Sequence, residues 1–185
     1  MKILSLILSS LLLGGSLIAQ PEEIEPPRPQ DEIMLEAYEK AQAEGKKVFV
    51  MFHASWCGWC KTMDKAINDK ACKKHFDQNY IIVHLDVLER GDKEETLENP
   101  GAEELMNDFG GASQGLPYWV VLSENGELLA DSKMRSDNND RGGSNIGCPA
   151  SEKEVAQLLL VLTETREFEE AALKAIQKRF RANEH

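Results

Sequence analysis

Two cysteines separated by two residues, Cys57 and Cys60, follow shortly after an apolar run, and this arrangement constrains the fold more than any other feature. The run, residues 47–52 (KVFVMF), is typical of a strand buried on both faces of a sheet. Residues 57–67 have the apolar spacing of a helix. The sequence therefore predicts that the cysteine pair lies at the start of a helix, at the end of a buried strand.

That position has a chemical consequence for Cys57. The first turn of a helix offers unpaired N–H groups and the positive end of the helix dipole, which together favour a thiolate over a thiol. The thiolate is the nucleophilic form of cysteine. A spacing of two residues lets both sulfur atoms meet on the first turn, so the pair can close into a disulfide with little backbone motion. The pattern predicts a redox-active pair.

The elements around the pair predict an α/β fold with a mixed sheet. A helix is expected from Asp31 to a stop at Gly45, and strands at 80–88 and 118–123. Asn125-Gly126 between apolar runs predicts a hairpin that returns along 127–130. The expected sheet thus has two parallel strands and an antiparallel hairpin, with helices flanking it.

The remaining segments are predicted to be helices and loops. Asp69 is expected to cap a short helix over 70–78. Residues 89–115 are polar and contain one predicted helix at 102–108. Ser151 and Glu154 form a capping box that opens a C-terminal helix. An amphipathic stretch at 163–182 follows, which either covers its own domain or mediates dimerisation.

Length and charge narrow the class of protein. A chain of 185 residues is long enough for one domain with a real core and short for two. Nucleic-acid binders normally carry a basic face. The net charge of this chain is -11, and its sequence shows no such face. Four cysteines are too few for a disulfide scaffold but enough for redox chemistry.

The first thirty residues predict export from the cytoplasm. Residues 1–19 combine Lys2, an apolar run and a small residue at Ala19, which is the pattern of a secretory signal peptide. A retained membrane anchor is the alternative, but the apolar run is shorter than the ~20 residues that a spanning helix needs. Residues 20–30 hold four of the seven prolines and predict an extended tether. The domain proper is expected at 31–182, in a periplasmic or secreted protein without a membrane segment in its mature form.

The stretch 48–61 (VFVMFHASWCGWCK) resembles the strand and active site of the thioredoxin-like family. Gly115-Leu116-Pro117, followed by a strand and an Asn-Gly hairpin, is similar to that family's cis-proline loop. The segment 145–149 (NIGCP) with its capped helix looks like a secreted bacterial subgroup of thiol–disulfide oxidoreductases. The resemblance covers about residues 32–162 and implies a thioredoxin-like fold with an added C-terminal helix.

The resemblance also implies roles for individual residues. Cys57 would be the exposed attacking thiol and Cys60 the buried resolving thiol. A cis Pro117 would let Leu116 present backbone groups to an extended substrate chain. The residues implied to form the substrate-binding surface are Trp56, Gly58, Trp59, Leu116 and Pro117.

The chain departs from the family pattern at Met51. Thioredoxins carry a buried aspartate six residues before the first cysteine, where it assists proton transfer at the resolving thiol. Here that position is Met51, and the sequence names no replacement.

The resemblance implies a thiol–disulfide oxidoreductase that uses the Cys57–Cys60 pair to reduce or exchange disulfides of extracytoplasmic proteins. Its partners would be protein or peptide disulfides and dithiols and an upstream thiol electron donor or acceptor, and no cofactor is expected. The direction stays open, because potentials across such oxidoreductases span about -270 to -120 mV. The alternative is a non-catalytic binding module that holds a partner protein in the cis-proline groove.

Cys72 and Cys148 have several interpretations. Cys72 is expected to be a small apolar core residue. Cys148 is expected near the active-site end, as a packed thiol or as a third redox thiol. A disulfide between them would need Cα atoms within ~7 Å. A metal site at Cys57, Cys60 and His53 is disfavoured, because structural zinc sites take four ligands.

Overall fold

The computed structural model describes residues 25–135 and 142–184. The predicted signal peptide and residues 20–24 of the predicted tether lie outside this part. Within it, the chain alternates strands and helices around one sheet. The strands are β1 (Lys47–His53), β2 (Tyr80–Asp86), β3 (Tyr118–Leu122) and β4 (Leu128–Asp131). The helices are α1 (Gln30–Glu44), α2 (Gly58–Ile67), α3 (Lys73–Asn79), α4 (Lys93–Leu97), α5 (Ala102–Asp108), α6 (Glu152–Thr165) and α7 (Glu170–Arg181).

The sheet is mixed, as predicted, with strand order β2-β1-β3-β4. β1 runs parallel to β2, with Met51 opposite His84. β1 is antiparallel to β3, and β3 is antiparallel to β4 across the predicted Asn-Gly turn. Every residue of β1 from Val48 to Phe52 is fully buried, which confirms that this strand lies inside the sheet with both faces covered.

The side chains on the two faces of β1 belong to two separate hydrophobic cores. Phe49 and Met51 point into a core shared with α2, α3, α6 and α7. Val48, Val50 and Phe52 point into a second core shared with α1 and α5. The alternation follows from the two-residue period of a strand, and it fixes which side of the sheet the cysteine helix α2 occupies.

Most predicted boundaries agree with the structure. α1 ends at Gly45, which adopts a left-handed conformation (φ 64°) and donates its N–H to Ala41 O. The capping box of α6 is present, with the Ser151 hydroxyl accepting from Glu154 N and the Glu154 side chain accepting from Ser151 N. The stretch 163–182 is divided between two helices, because α6 ends at Thr165 and α7 begins at Glu170.

α7 covers its own domain. Ala172, Ile176 and Phe180 are buried, and Ile176 and Phe180 belong to the core on the α2 side of the sheet. The Phe180 ring lies 6.4 Å from that of Phe76 on α3. The apolar stripe of this helix is therefore used within the chain.

Two predictions about helices were wrong. α3 begins at Lys73 rather than at residue 70, because Asp69 closes a turn instead: its carboxylate accepts from Ala71 N at 2.9 Å and its carbonyl from Cys72 N at 2.8 Å. The segment after β2 was expected to contain one helix and contains two, since α4 precedes α5. α4 buries none of its residues, so no apolar stripe marks it in the sequence.

Candidate active site

Cys57 and Cys60 lie where the sequence predicts them, at the start of α2. Cys57 is the N-cap of this helix, and its sulfur accepts a hydrogen bond from Cys60 N at 3.1 Å. The two sulfur atoms form a disulfide, with the Cα atoms 5.3 Å apart. In the reduced form the same N–H group and the helix dipole would stabilise a Cys57 thiolate.

The expected exposure of Cys57 was wrong for this disulfide state. Cys57 is only 4% exposed and Cys60 only 2%. The pair packs with Ala54 and with the half-buried Leu116 in a small apolar cluster. Leu116, which the loop before β3 brings to the start of α2, thus helps to cover the Cys57 side chain.

The loop before β3 faces the cysteine pair and has the expected conformation. The Leu116–Pro117 peptide bond is cis. Asn145 holds this loop from the other side, because its side-chain amide donates to Gly115 O at 2.6 Å and to Pro117 O at 3.0 Å. Leu116 packs against the cysteine cluster. The loop thereby places the backbone around Leu116 next to the disulfide.

A groove of about 540 Å³ runs beside the disulfide, and we call it the active-site groove. Trp59, half exposed, stands on one side and the cis-proline loop on the other. The lining residues are Trp59, Gln114, Gly115, Leu116, Ser144, Asn145, Ile146, Gly147, Cys148, Ala150 and Glu154. Gly58 and Trp56 are exposed on the same helix start but do not line the groove.

The segment after β2 holds Trp56 in place. Its indole Nε1 donates to Leu88 O at 2.8 Å, and the Arg90 guanidinium lies 4.0 Å from the ring centroid. Glu89 is 5% exposed, and its carboxylate accepts from both the backbone N and the hydroxyl of Ser55. Residues 88–90 therefore fix the backbone that leads into Cys57.

Comparison with known proteins agrees with this geometry. Residues 33–123 match a family model described as thioredoxin-like. These residues belong to the thioredoxin-like family. No curated protein matches the chain.

Three solved structures illustrate the similarity. A disulphide isomerase from Xylella fastidiosa Temecula1 is 20% identical, with 62% of this chain and 79% of that chain covered and a TM-score of 0.45. DsbH oxidoreductase is 21% identical, with coverages of 80% and 94% and a TM-score of 0.46. The C-terminal domain of Neisseria meningitidis DsbD in the oxidised form is 17% identical, with coverages of 58% and 83% and a TM-score of 0.41.

The other two cysteines of this thioredoxin-like domain are free and buried. Cys72 lies in the core at 0% exposure, as predicted, and burial raises the pKa of its thiol to about 11. Cys148 lines the active-site groove, and burial raises the pKa of its thiol to about 12. Both thiols stay protonated at neutral pH, and no disulfide joins them.

The described residues contain neither a cluster of metal ligands nor a membrane-spanning helix. Among residues 25–135 and 142–184, no three His, Cys, Asp or Glu side chains come together in a way that could hold a metal ion. Within the same ranges, no helix combines the length and the apolar character needed to cross a bilayer.

The residues that support this site are not predicted from the sequence. Asn145 belongs to the segment that carries the family resemblance, without a role of its own there, and Glu89 and Arg90 lie in a segment predicted to be polar. An asparagine two residues before a glycine in a loop signals a local side-chain to backbone bond. No comparable signal marks Glu89, because the sequence does not show that a glutamate in a polar segment becomes buried.

Proposed function

We propose that this protein is a thiol–disulfide oxidoreductase that reduces or exchanges disulfides of extracytoplasmic proteins. The observation that carries the proposal is the Cys57–Cys60 disulfide at the start of α2, facing the cis Leu116–Pro117 bond. A structural disulfide would have no need of a helix N-terminus, whereas a nucleophilic thiolate gains stability from one.

The proposed reaction transfers two electrons to the substrate. The Cys57 thiolate attacks one sulfur of the substrate disulfide, and the other substrate sulfur leaves as a thiolate. The Cys60 thiolate then attacks Cys57 Sγ in the mixed disulfide and releases the second substrate thiolate. The enzyme is left with the Cys57–Cys60 disulfide, which an upstream thiol donor must reduce. The same steps in reverse oxidise a dithiol.

The active-site groove suits an extended polypeptide segment. The carbonyls of Gly115 and Pro117 are engaged by Asn145, so the backbone beside Leu116 is held in a fixed position. Trp59 is 50% exposed and offers an apolar face next to the disulfide. These features support the assignment of Trp59, Leu116 and Pro117 to substrate binding, with Trp56 and Gly58 at its margin.

Export is part of the proposal and rests on residues 1–19, which lie outside the described residues. The motivating pattern is Lys2 followed by an apolar run and Ala19. Expression of the full chain in a bacterium followed by N-terminal sequencing tests it. A mature chain beginning after Ala19 supports export, and an intact Met1 in the cytoplasmic fraction contradicts it.

The activity is tested with insulin as a disulfide substrate and dithiothreitol as the electron donor. We expect the full chain to accelerate precipitation of the reduced insulin chains well above the dithiothreitol rate. If the protein instead binds insulin without accelerating its reduction, the non-catalytic binding module is the correct interpretation.

A further inference from the structure

The proposed reaction requires a proton to leave a buried atom. Cys60 is 2% exposed, and its thiol must be deprotonated before it can attack Cys57 Sγ. Bulk water does not reach it directly. Met51, which lines the same cavity as Cys60, is fully buried and carries no titratable group.

A second cavity, which shares no lining residue with the active-site groove, borders Cys60, and we call it the histidine pocket. It has a volume of about 620 Å³, and Met51, Cys60 and Leu97 contribute to its lining. A cavity of this size, bordered by several titratable side chains, has room for water molecules, which take about 30 Å³ each. Its titratable lining groups come from β1, β2 and α2: His53, His84, Asp86, Lys61, Asp64 and Lys65.

The two histidines face carboxylates inside this pocket. His84 Nε2 lies 3.3 Å from Asp64 Oδ1, and His53 Nε2 lies 3.5 Å from Asp86 Oδ1. The two rings meet edge to face, with centroids 5.3 Å apart. Within the part of the chain that the structure describes, both Nε2 atoms are shielded from solvent and neither has a hydrogen-bond partner of good geometry. A buried nitrogen without a hydrogen bond of good geometry is rare in folded proteins, and a role in proton transfer would account for it.

The helix connects Cys60 to these rings. Cys60 and Asp64 are four residues apart on α2, so their side chains lie on the same helix face, one turn from each other. Asp64 meets His84, which stands opposite Met51 in the neighbouring strand. The imidazole therefore lies across the pocket from the resolving thiol.

The electrostatics keep His84 able to accept a proton. Burial and, second to it, the charge of His53 lower the pKa of His84 below its ordinary 6.5, although Asp64 and Asp86 oppose this shift. Burial raises the pKa of Asp86, and Glu89 adds to that rise while the two histidines counteract it. The side chains of Lys61 and Lys65 are exposed. An imidazole is the group suited to accept a proton between pH 5 and 8.

We propose that His84, oriented by Asp64 and by the His53–Asp86 pair, accepts the proton of the Cys60 thiol through the histidine pocket. The inference rests on the proposed oxidoreductase function. The Cys60 S–H bond breaks and its proton passes by way of water to His84. The Cys60 thiolate then attacks Cys57 Sγ, the Cys57–substrate bond breaks, and the substrate sulfur leaves as a thiolate. The imidazolium then passes the proton on to solvent. When the pair is reduced again, Cys60 leaves as a thiolate and takes up a proton through the same pocket.

His84→Gln in the full chain tests the proposal. Reduced protein is mixed with oxidised glutathione, and the Cys57–glutathione mixed disulfide is followed by acid quench and mass spectrometry. We expect its formation to keep the wild-type rate and its resolution to slow by about a hundredfold. The wild-type resolution rate should fall as the pH drops through the lowered pKa of His84, and this inflection should be missing in the variant.

His75→Gln is the matched control, because His75 lies on α3 and does not line the histidine pocket. It should resolve the mixed disulfide at the wild-type rate. A second measurement needs no variant: the imidazole signals of the wild-type protein are titrated by NMR in the oxidised and the reduced form. We expect the pKa of His84 to differ between the two forms, since the Cys60 thiol shares the pocket only when reduced.

Two results contradict the proposal separately. Resolution in the His84→Gln variant with the wild-type rate and pH profile overturns the role of His84 but leaves the proposed function standing, and identical His84 titration in both redox forms does the same. If the wild-type protein forms no mixed disulfide at all, the proposed function fails, and the inference fails with it.

Discussion

Replacement of Cys57 with serine is expected to abolish insulin reduction, with a loss of more than about a thousandfold in rate. Cys57 is the N-cap of α2, and its sulfur already accepts a hydrogen bond from Cys60 N. A serine hydroxyl can preserve that hydrogen bond, so the fold should be retained while the nucleophile is lost. The measurement is the insulin assay, with circular dichroism to confirm that the variant is folded.

Cys60→Ser is the matched variant for the second half of the reaction. It keeps the attacking thiol and removes the resolving one, so mixed disulfides between Cys57 and a substrate should accumulate instead of turning over. A Cys57→Ser protein that still reduces insulin at the wild-type rate would contradict the assignment of the nucleophile. A Cys60→Ser protein that turns over normally would contradict the assignment of the resolving thiol.

Trp119→Ala is expected to cost the largest amount of stability, about 3–5 kcal/mol in the free energy of unfolding. Trp119, the second residue of β3, is fully buried and stacks on Phe49 with ring centroids 5.3 Å apart. Its indole N–H donates to Gly147 O at 2.8 Å, which ties the core to the loop that lines the active-site groove. Urea denaturation of both proteins measures the difference.

Trp59→Ala controls for the loss of an indole as such. Trp59 is 50% exposed, so its removal should change the free energy of unfolding by no more than about 0.5 kcal/mol. A Trp119→Ala protein as stable as the Trp59→Ala protein would contradict the description of the core.

The sequence predicts local structure correctly where that structure depends on neighbouring residues. The apolar run of β1, the Asn-Gly hairpin and the Ser151–Glu154 capping box each depend on neighbouring residues, and each was predicted correctly. The cis bond before Pro117 came from the resemblance to a known family and is present in the structure.

What could not be predicted depends on contacts between distant segments. Glu89 is buried because it meets Ser55, 34 positions earlier in the chain, and no local pattern reports that contact. His84 gains its place in the histidine pocket from the register between β1 and β2, which the sequence alone does not provide. The burial of Cys57 likewise depends on Leu116, which the cis-proline loop brings to the start of α2.

The central claim is that Cys57 and Cys60 form a reversible redox pair, and a redox titration tests it most directly. The full domain is equilibrated with dithiothreitol or glutathione buffers and followed by the fluorescence of Trp56 and Trp59, which flank the pair. The account predicts one reversible two-electron transition with a midpoint between about -270 and -120 mV. A value near the lower limit would indicate a reductant, and a value near the upper limit an oxidant. A disulfide that shows no reversible transition at any potential would contradict the account.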